Sequence, residues 1–235
     1  MHAYAPPQKP LSIRRRTLLV SVLAATAVCA LPRFAWSNPA GVLPGEAADR
    51  RFSVLYKGDR IGAHVVHHFA ATGQTRVTTD IDLVVKALFF TVYAFSHHSE
   101  EIWQDGRLKS LSSRTIEHGE TVDVEGVAVA HGFRVVGKAG PFIAAPDALT
   151  SNSLWTPAVL QQDTLIDAQY GGVIGVSVSK LADEMIDSAG HRIAATRYRF
   201  ITPYIAGSIW YDDQERWVQG EFERDGAQIQ YRLDA

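Results

Sequence analysis

The sequence predicts an all-β fold: a curled antiparallel sheet forming a barrel or half-barrel, with one short helix at about residues 152–160. Three observations predict it. Apolar residues recur with a period of two along most of the chain after residue 50, the signature of strands with one dry and one wet face. Short turn signals containing glycine separate those runs. The run from Val77 to Leu108 supplies two strands long enough to coil around an interior.

Taken in order, Phe52, Val54 and Tyr56 begin the first strand, and Lys57-Gly58-Asp59-Arg60 turns it. Ile61, Ala63, Val65, His67 and Phe69 share one face of the second, which ends at Thr72-Gly73-Gln74. Val77, Thr79, Ile81, Leu83 and Val85 alternate with polar neighbours. Leu88, Phe89, Phe90, Val92, Tyr93 and Phe95 then raise the apolar density before Asp105-Gly106 closes the pair. That pair is predicted to join near Lys86–Ala87. The apolar run is too short for a membrane span, which needs about 20 residues.

Leu108 to Ile116 is the next strand, with His118-Gly119 as its turn. Val122 and Val124 lead into Val127, Val129, His131, Phe133 and Val135 as continued period-two pattern. Lys138 to Pro146 interrupts the rhythm. Asn152 to Leu160 reads as a two-turn helix, capped by Ser151, Asn152 or Ser153, with Trp155 and Leu160 facing inward. After Thr164–Asp167 and the Tyr170-Gly171-Gly172 turn, strands resume through Ile174, Val176 and Val178. They continue from Ile193 to Ile201, Ile205 to Asp212, Arg216 to Glu223 and Ile229 to Leu233. Ten or eleven strands at this spacing form one meander, with no repeat and no second domain.

The first 37 residues read as an address. Lys9, Arg14, Arg15 and Arg16 precede an apolar run from Thr17 to Leu31, and Ala35 and Ser37 suit a cut before Asn38. Arg15-Arg16-Thr17-Leu18-Leu19 resembles a twin-arginine export signal. The expected layout is a signal at 1–37, a linker at 38–50 and a single β domain at 51–235, exported to the periplasm by the twin-arginine machinery.

Of 23 basic and 25 acidic residues, five basic ones and no acidic one fall in residues 1–37. The remainder carries 18 against 25, a net charge of −7. This disfavours nucleic acid as a partner, since that rewards clustered Lys and Arg. The single cysteine, Cys29, leaves with the signal, so thiolate chemistry and disulfides are excluded for the remainder.

Phe52-Ser53-Val54-Leu55-Tyr56-Lys57-Gly58-Asp59-Arg60-Ile61-Gly62, Leu88-Phe89-Phe90-Thr91-Val92-Tyr93 and Ile209-Trp210-Tyr211-Asp212 together resemble a family of exported bacterial proteins classed as a domain of unknown function, over about residues 50 to 235. The layout is also similar to lipoprotein-carrier half-barrels, which hold acyl chains in a curved apolar sheet. The family resemblance implies a fold and transfers no catalytic residue.

The expected function is binding of an apolar or amphipathic small molecule, of acyl or isoprenoid type, in the curved sheet. Phe89, Tyr93, Phe95, His97, Trp155, Glu184, Arg197 and Trp210 are the candidate ligand-binding residues. No cofactor and no metal is expected. Two alternatives stand beside it. One is an enzyme using the strand histidines His64, His67, His68, His97 and His98, with a metal if His67 or His68 meets His97 or His98. The other is an envelope structural or partner-binding module. Gly171-Gly172-Val173-Ile174-Gly175 lacks the following helix of a dinucleotide loop, and Ser208 lacks a nucleophile elbow.

Overall fold

The computed structural model describes residues 49–235 apart from Leu88 and Asp225. The expected signal at 1–37 and nearly all of the linker lie outside the described residues.

The chain forms β1 (Arg50–Tyr56), β2 (Asp59–Ala71), β3 (Gln74–Ala87), β4 (Phe90–Gln104), β5 (Arg107–Glu117), β6 (Glu120–Val129), β7 (Gly132–Gly137) and β8 (Gly140–Ala144). Two 3-10 turns follow, Ser153–Trp155 and Pro157–Gln161. Then come β9 (Thr164–Ile166), β10 (Val173–Gly175), β11 (Ser177–Ser188), β12 (His191–Ile201), β13 (Ala206–Asp212), β14 (Trp217–Arg224) and β15 (Ala227–Leu233). Thirteen strands make one antiparallel sheet in the order β11-β12-β13-β14-β15-β1-β2-β3-β4-β5-β6-β7-β8. β15 pairs with β1, so the two halves of the chain meet there and the sheet curls without closing.

The turns explain the meander. Lys57-Gly58, Asp105-Gly106, His118-Gly119 and Ala189-Gly190 each put two consecutive residues at positive φ. That is the hairpin turn whose twist matches the flanking strands, and glycine adopts its second position without a Cβ penalty.

Three expectations are corrected. The continuous strand expected from Val122 to Val135 is broken at Ala130-His131 into β6 and β7. The stretch from Lys138 to Pro146, read as irregular, contains β8, which carries Pro141 on a sheet edge where a missing N–H is harmless. The helix at 152–160 is two 3-10 turns, because Thr156 is extended ahead of Pro157 and stops propagation. Asn152 precedes the first turn without a side-chain cap, and Thr156 caps the second from its hydroxyl.

The segment from Ala145 to Val176 lies between β8 and β11, the two edges of the sheet, and packs into its interior. Leu149, Trp155, Val159, Leu165, Ile166, Ala168, Ile174 and Val176 are buried in one cluster with Phe52, Trp103, Phe133, Tyr211 and Trp217. Burying such side chains stabilises a fold by about 1.5–3 kcal/mol each. Gly137 and Gly171 approach so closely that a Cβ on Gly171 would stand 2.5 Å from the Gly137 Cα. Lys138 N–H donates to the Tyr170 carbonyl there, pinning the segment against β7.

Candidate functional site

Register assembles a polar stripe on the buried face of β2 to β5. His64, Ile81, His97 and Thr115 lie on one rung. Val66, Thr79, Ser99 and Ser113 lie on the next, and His68, Val77, Glu101 and Leu111 on the one beyond. Alternation along β4 sends Phe95, His97, Ser99, Glu101 and Trp103 inward.

The crossing segment completes the hydrogen bonds. Asn152 Nδ2 donates to His97 Nε2 at 3.0 Å and to Ser99 Oγ at 2.8 Å. The amide nitrogen only donates, so His97 accepts at Nε2 and carries its proton on Nδ1, which faces Thr115 Oγ1 at 2.8 Å. Glu101 Oε2 accepts from Trp103 Nε1 at 2.9 Å, and Oε1 lies 2.5 Å from Thr150 Oγ1. Asn152 N–H donates to the same Thr150 oxygen. Ser113 Oγ donates to the Ala168 carbonyl.

Burial sets the charge states. It pushes the Glu101 carboxyl up to about 7, against hydrogen bonds from Thr150 and Trp103 that favour the ionised form. Desolvation lowers His97 to about 4 and His64 to about 3, so both are neutral near pH 7. His68 is lowered to about 4, mainly by burial.

Not every polar atom is partnered. Both ring nitrogens of His64 and of His68, and Trp155 Nε1, are buried without a hydrogen-bond partner among the described residues. His64 is enclosed by the rings of Phe52, Trp217 and Tyr231. His68 meets Trp155 edge-on at 5.1 Å between ring centroids, and Arg50 is close enough to His68 to lower its proton affinity. Buried polar groups are ordinarily satisfied, so this pair stands out.

The candidate ligand-binding residues fall into three places. Phe95, His97 and Trp155 are interior, with Tyr93 half-buried against Phe95, where its hydroxyl donates to Glu117 at 2.9 Å. Glu184, Arg197 and Trp210 do gather, but on the other face of the sheet. Trp210 alternates with Ile209 and Tyr211 of the core, donates its Nε1 proton to Glu184 at 2.6 Å and lies 5.0 Å beneath the Arg197 guanidinium. Phe89 is 96% exposed at the tip of the β3–β4 hairpin and lines no interior. Phe90 and Tyr204 are exposed as well.

Sequence reasoning missed Ser99, Glu101, Thr115, Thr150 and Asn152. The strict alternation from Phe95 to Trp103 was the available signal for the first two. Of the histidines, His67 and His98 face outward to Asp49 and Asp80. His64 and His97 share a rung on either side of β3. Among the described residues no group of three or more His, Cys, Asp or Glu is placed to hold a metal ion. Glu117 collects the hydroxyls of Tyr93 and Tyr170, which ties β4, β5 and the crossing segment together.

This architecture has a solved counterpart. A β-barrel-like protein of domain of unknown function DUF1849 from Brucella abortus superposes with a TM-score of 0.56 at 9% identity, over 79% of this chain and 94% of that one. At that identity the likeness is one of fold. No curated protein matches the chain. The antiparallel barrel-like sheet, with its interior crossed by the chain's own connection, spans the same residues as the model of a domain of unknown function, DUF6134, which matches residues 52–234, and the chain belongs to that family.

Proposed function

We propose that this protein is an exported envelope protein that binds an amphipathic small molecule at the end of the barrel where Trp155 lies against His68. Export is supported by the basic, apolar and small-residue pattern of residues 1–37. The binding site is supported by one observation above the rest: among the described residues, neither the buried Trp155 Nε1 nor either ring nitrogen of His68 beside it has a hydrogen-bond partner. Those groups suit an acceptor-rich head. Trp103, edge-on to Trp155 at 5.4 Å, backs that contact from the core.

A guest laid along the barrel axis is not what this geometry favours, because Phe52, Trp103, Trp217 and the 145–176 segment occupy it. The reading therefore moves the expected ligand from the sheet's centre to its rim.

Titration of oleate and of a lysophospholipid, followed by tryptophan fluorescence, tests the reading. Binding should weaken by about tenfold in Trp155→Phe, the cost of one hydrogen bond to a charged acceptor. Absence of binding to both probes, or equal binding by a folded Trp155→Phe variant, overturns it.

A further inference from the structure

The β3–β4 hairpin outruns its neighbours. Pairing of β2 with β3 stops at Gly62–Leu83, and pairing of β4 with β5 stops at Phe95–Glu117. Beyond those rungs the two strands continue to pair only with each other, out to Ala87–Phe90. Four residues of strand project by about 13 Å. A lone two-stranded ribbon is marginal in water and ordinarily rests on something.

Its side chains say what. Phe89 is 96% exposed, Phe90 74% and Val92 54%, with Val84 exposed on the same ribbon. Between Leu83 and Ser96 the only charged side chain is Lys86, in a chain that otherwise carries an acidic excess. Tyr93 sits behind the tip, bonded to Glu117 and stacked against Phe95, so the base of the ribbon is held by the barrel.

We propose that this tip docks the protein on a lipid bilayer surface. Phe89 and Phe90 enter the boundary between headgroups and acyl chains, and Lys86 reaches back to the phosphates along its apolar stem. Among the described residues, the ribbon's outer backbone edges lack strand partners from Val84 to Ala87 and from Phe90 to Ala94. Such groups are not tolerated in hydrocarbon, so entry stops at the interface and the hairpin does not span. A bilayer suits this tip better than a protein partner does. The tip offers no carboxylate, and Lys86 and Thr91 are its only side chains able to hydrogen-bond. The site lies at the opposite end of β3 from the Trp155–His68 contact and stands whether or not that site binds a guest.

Flotation of the full chain with phosphatidylcholine vesicles, and with vesicles containing phosphatidylglycerol, tests this. A paired variant, Phe89→Ser with Phe90→Ser, should lose about tenfold in vesicle partitioning on both lipids. Both residues are exposed, so its melting should be unchanged. Residues 1–37 are common to both proteins, so the difference reads the tip alone. As a direct readout, Phe89→Cys in a Cys29→Ser background, labelled with a polarity-sensitive dye, should shift to the blue on adding vesicles. Equal partitioning of the variant, or an unshifted dye, overturns the proposal. So does a wild-type dimer in solution that the paired variant breaks, which would make the tip a contact between copies.

Discussion

Thr150 Oγ1 stands 2.5 Å from Glu101 Oε1, and this contact fastens the crossing segment to the sheet interior. Thr150 also accepts the Asn152 N–H, and Asn152 in turn reaches His97 and Ser99. One short stretch of chain therefore satisfies buried polar atoms on three successive inward positions of β4, His97, Ser99 and Glu101. Each would be costly to leave unpaired.

Glu101 makes the fold's stability depend on pH. The unfolded side chain ionises near 4.5, whereas in the fold it keeps its proton to about 7. A raised carboxyl stabilises fully below 4.5, and that contribution is withdrawn as pH rises through 7. Glu101→Gln keeps a carbonyl acceptor for its donors and carries no charge to desolvate. The variant should gain on the parent by up to about 3 kcal/mol between about pH 5 and pH 8, read from urea midpoints. Glu101→Ala should cost roughly 2–4 kcal/mol near pH 5, by leaving Trp103 and Thr150 unpaired, and the cost should shrink by about 2–3 kcal/mol as pH rises through 7.

His64 acts with the opposite sign. Its folded value of about 3 lies below the free 6.5, so its contribution is complete above 6.5 and lost as pH falls toward 3. His97 and His68 move the same way, both to about 4. Three depressed histidines outweigh one raised carboxyl, so the native state should be acid-labile. His64→Leu should flatten the acid limb by on the order of 3 kcal/mol at about pH 4, measured by chemical denaturation at stepped pH.

Gly62 admits no side chain. A Cβ there would fall 1.8 Å from the Asp82 carbonyl oxygen of the neighbouring strand, and backbone cannot swing aside. Gly62→Ala should cost roughly 2–4 kcal/mol. Gly58, at φ +90 with open space around it, should cost about 1 kcal/mol when changed to alanine. Thermal melting of both variants checks the contrast.

Glu184 and Arg197 bracket Trp210 on the sheet face away from the core. Glu184→Ala and Arg197→Ala should each change stability by less than about 1 kcal/mol, because neither charge is enclosed. Neither should alter binding of oleate or lysophospholipid. Titration of these variants beside Trp155→Phe separates the two faces.

Much of the fold is legible because strand physics is local. Alternation from Val77 to Val85, and Gly-containing turns such as Asp105-Gly106 and His118-Gly119, specify hairpins without reference to distant residues. The break at Ala130-His131 was illegible because Val127, Val129, His131, Phe133 and Val135 keep period two across it. β8 was hidden by Pro141, which is acceptable only at an edge, and edge status is a property of the finished sheet. The site was less legible still. Trp155 was identifiable as inward-facing, but its lack of a partner depends on what β2 and β4 bring beside it.

The all-β meander, the acidic balance and the turn positions are readable from the chain alone, since each depends on residue type and near neighbours. The tertiary structure decided which aromatics fill the interior and which stand in solvent. Phe89 and Phe95 lie six residues apart in one apolar run, yet register with β5 ends between them, and that endpoint leaves one at a bare tip and the other in the core. It also decided the charge state of Glu101, because desolvation comes from residues 149–155 packing over it, far along the chain.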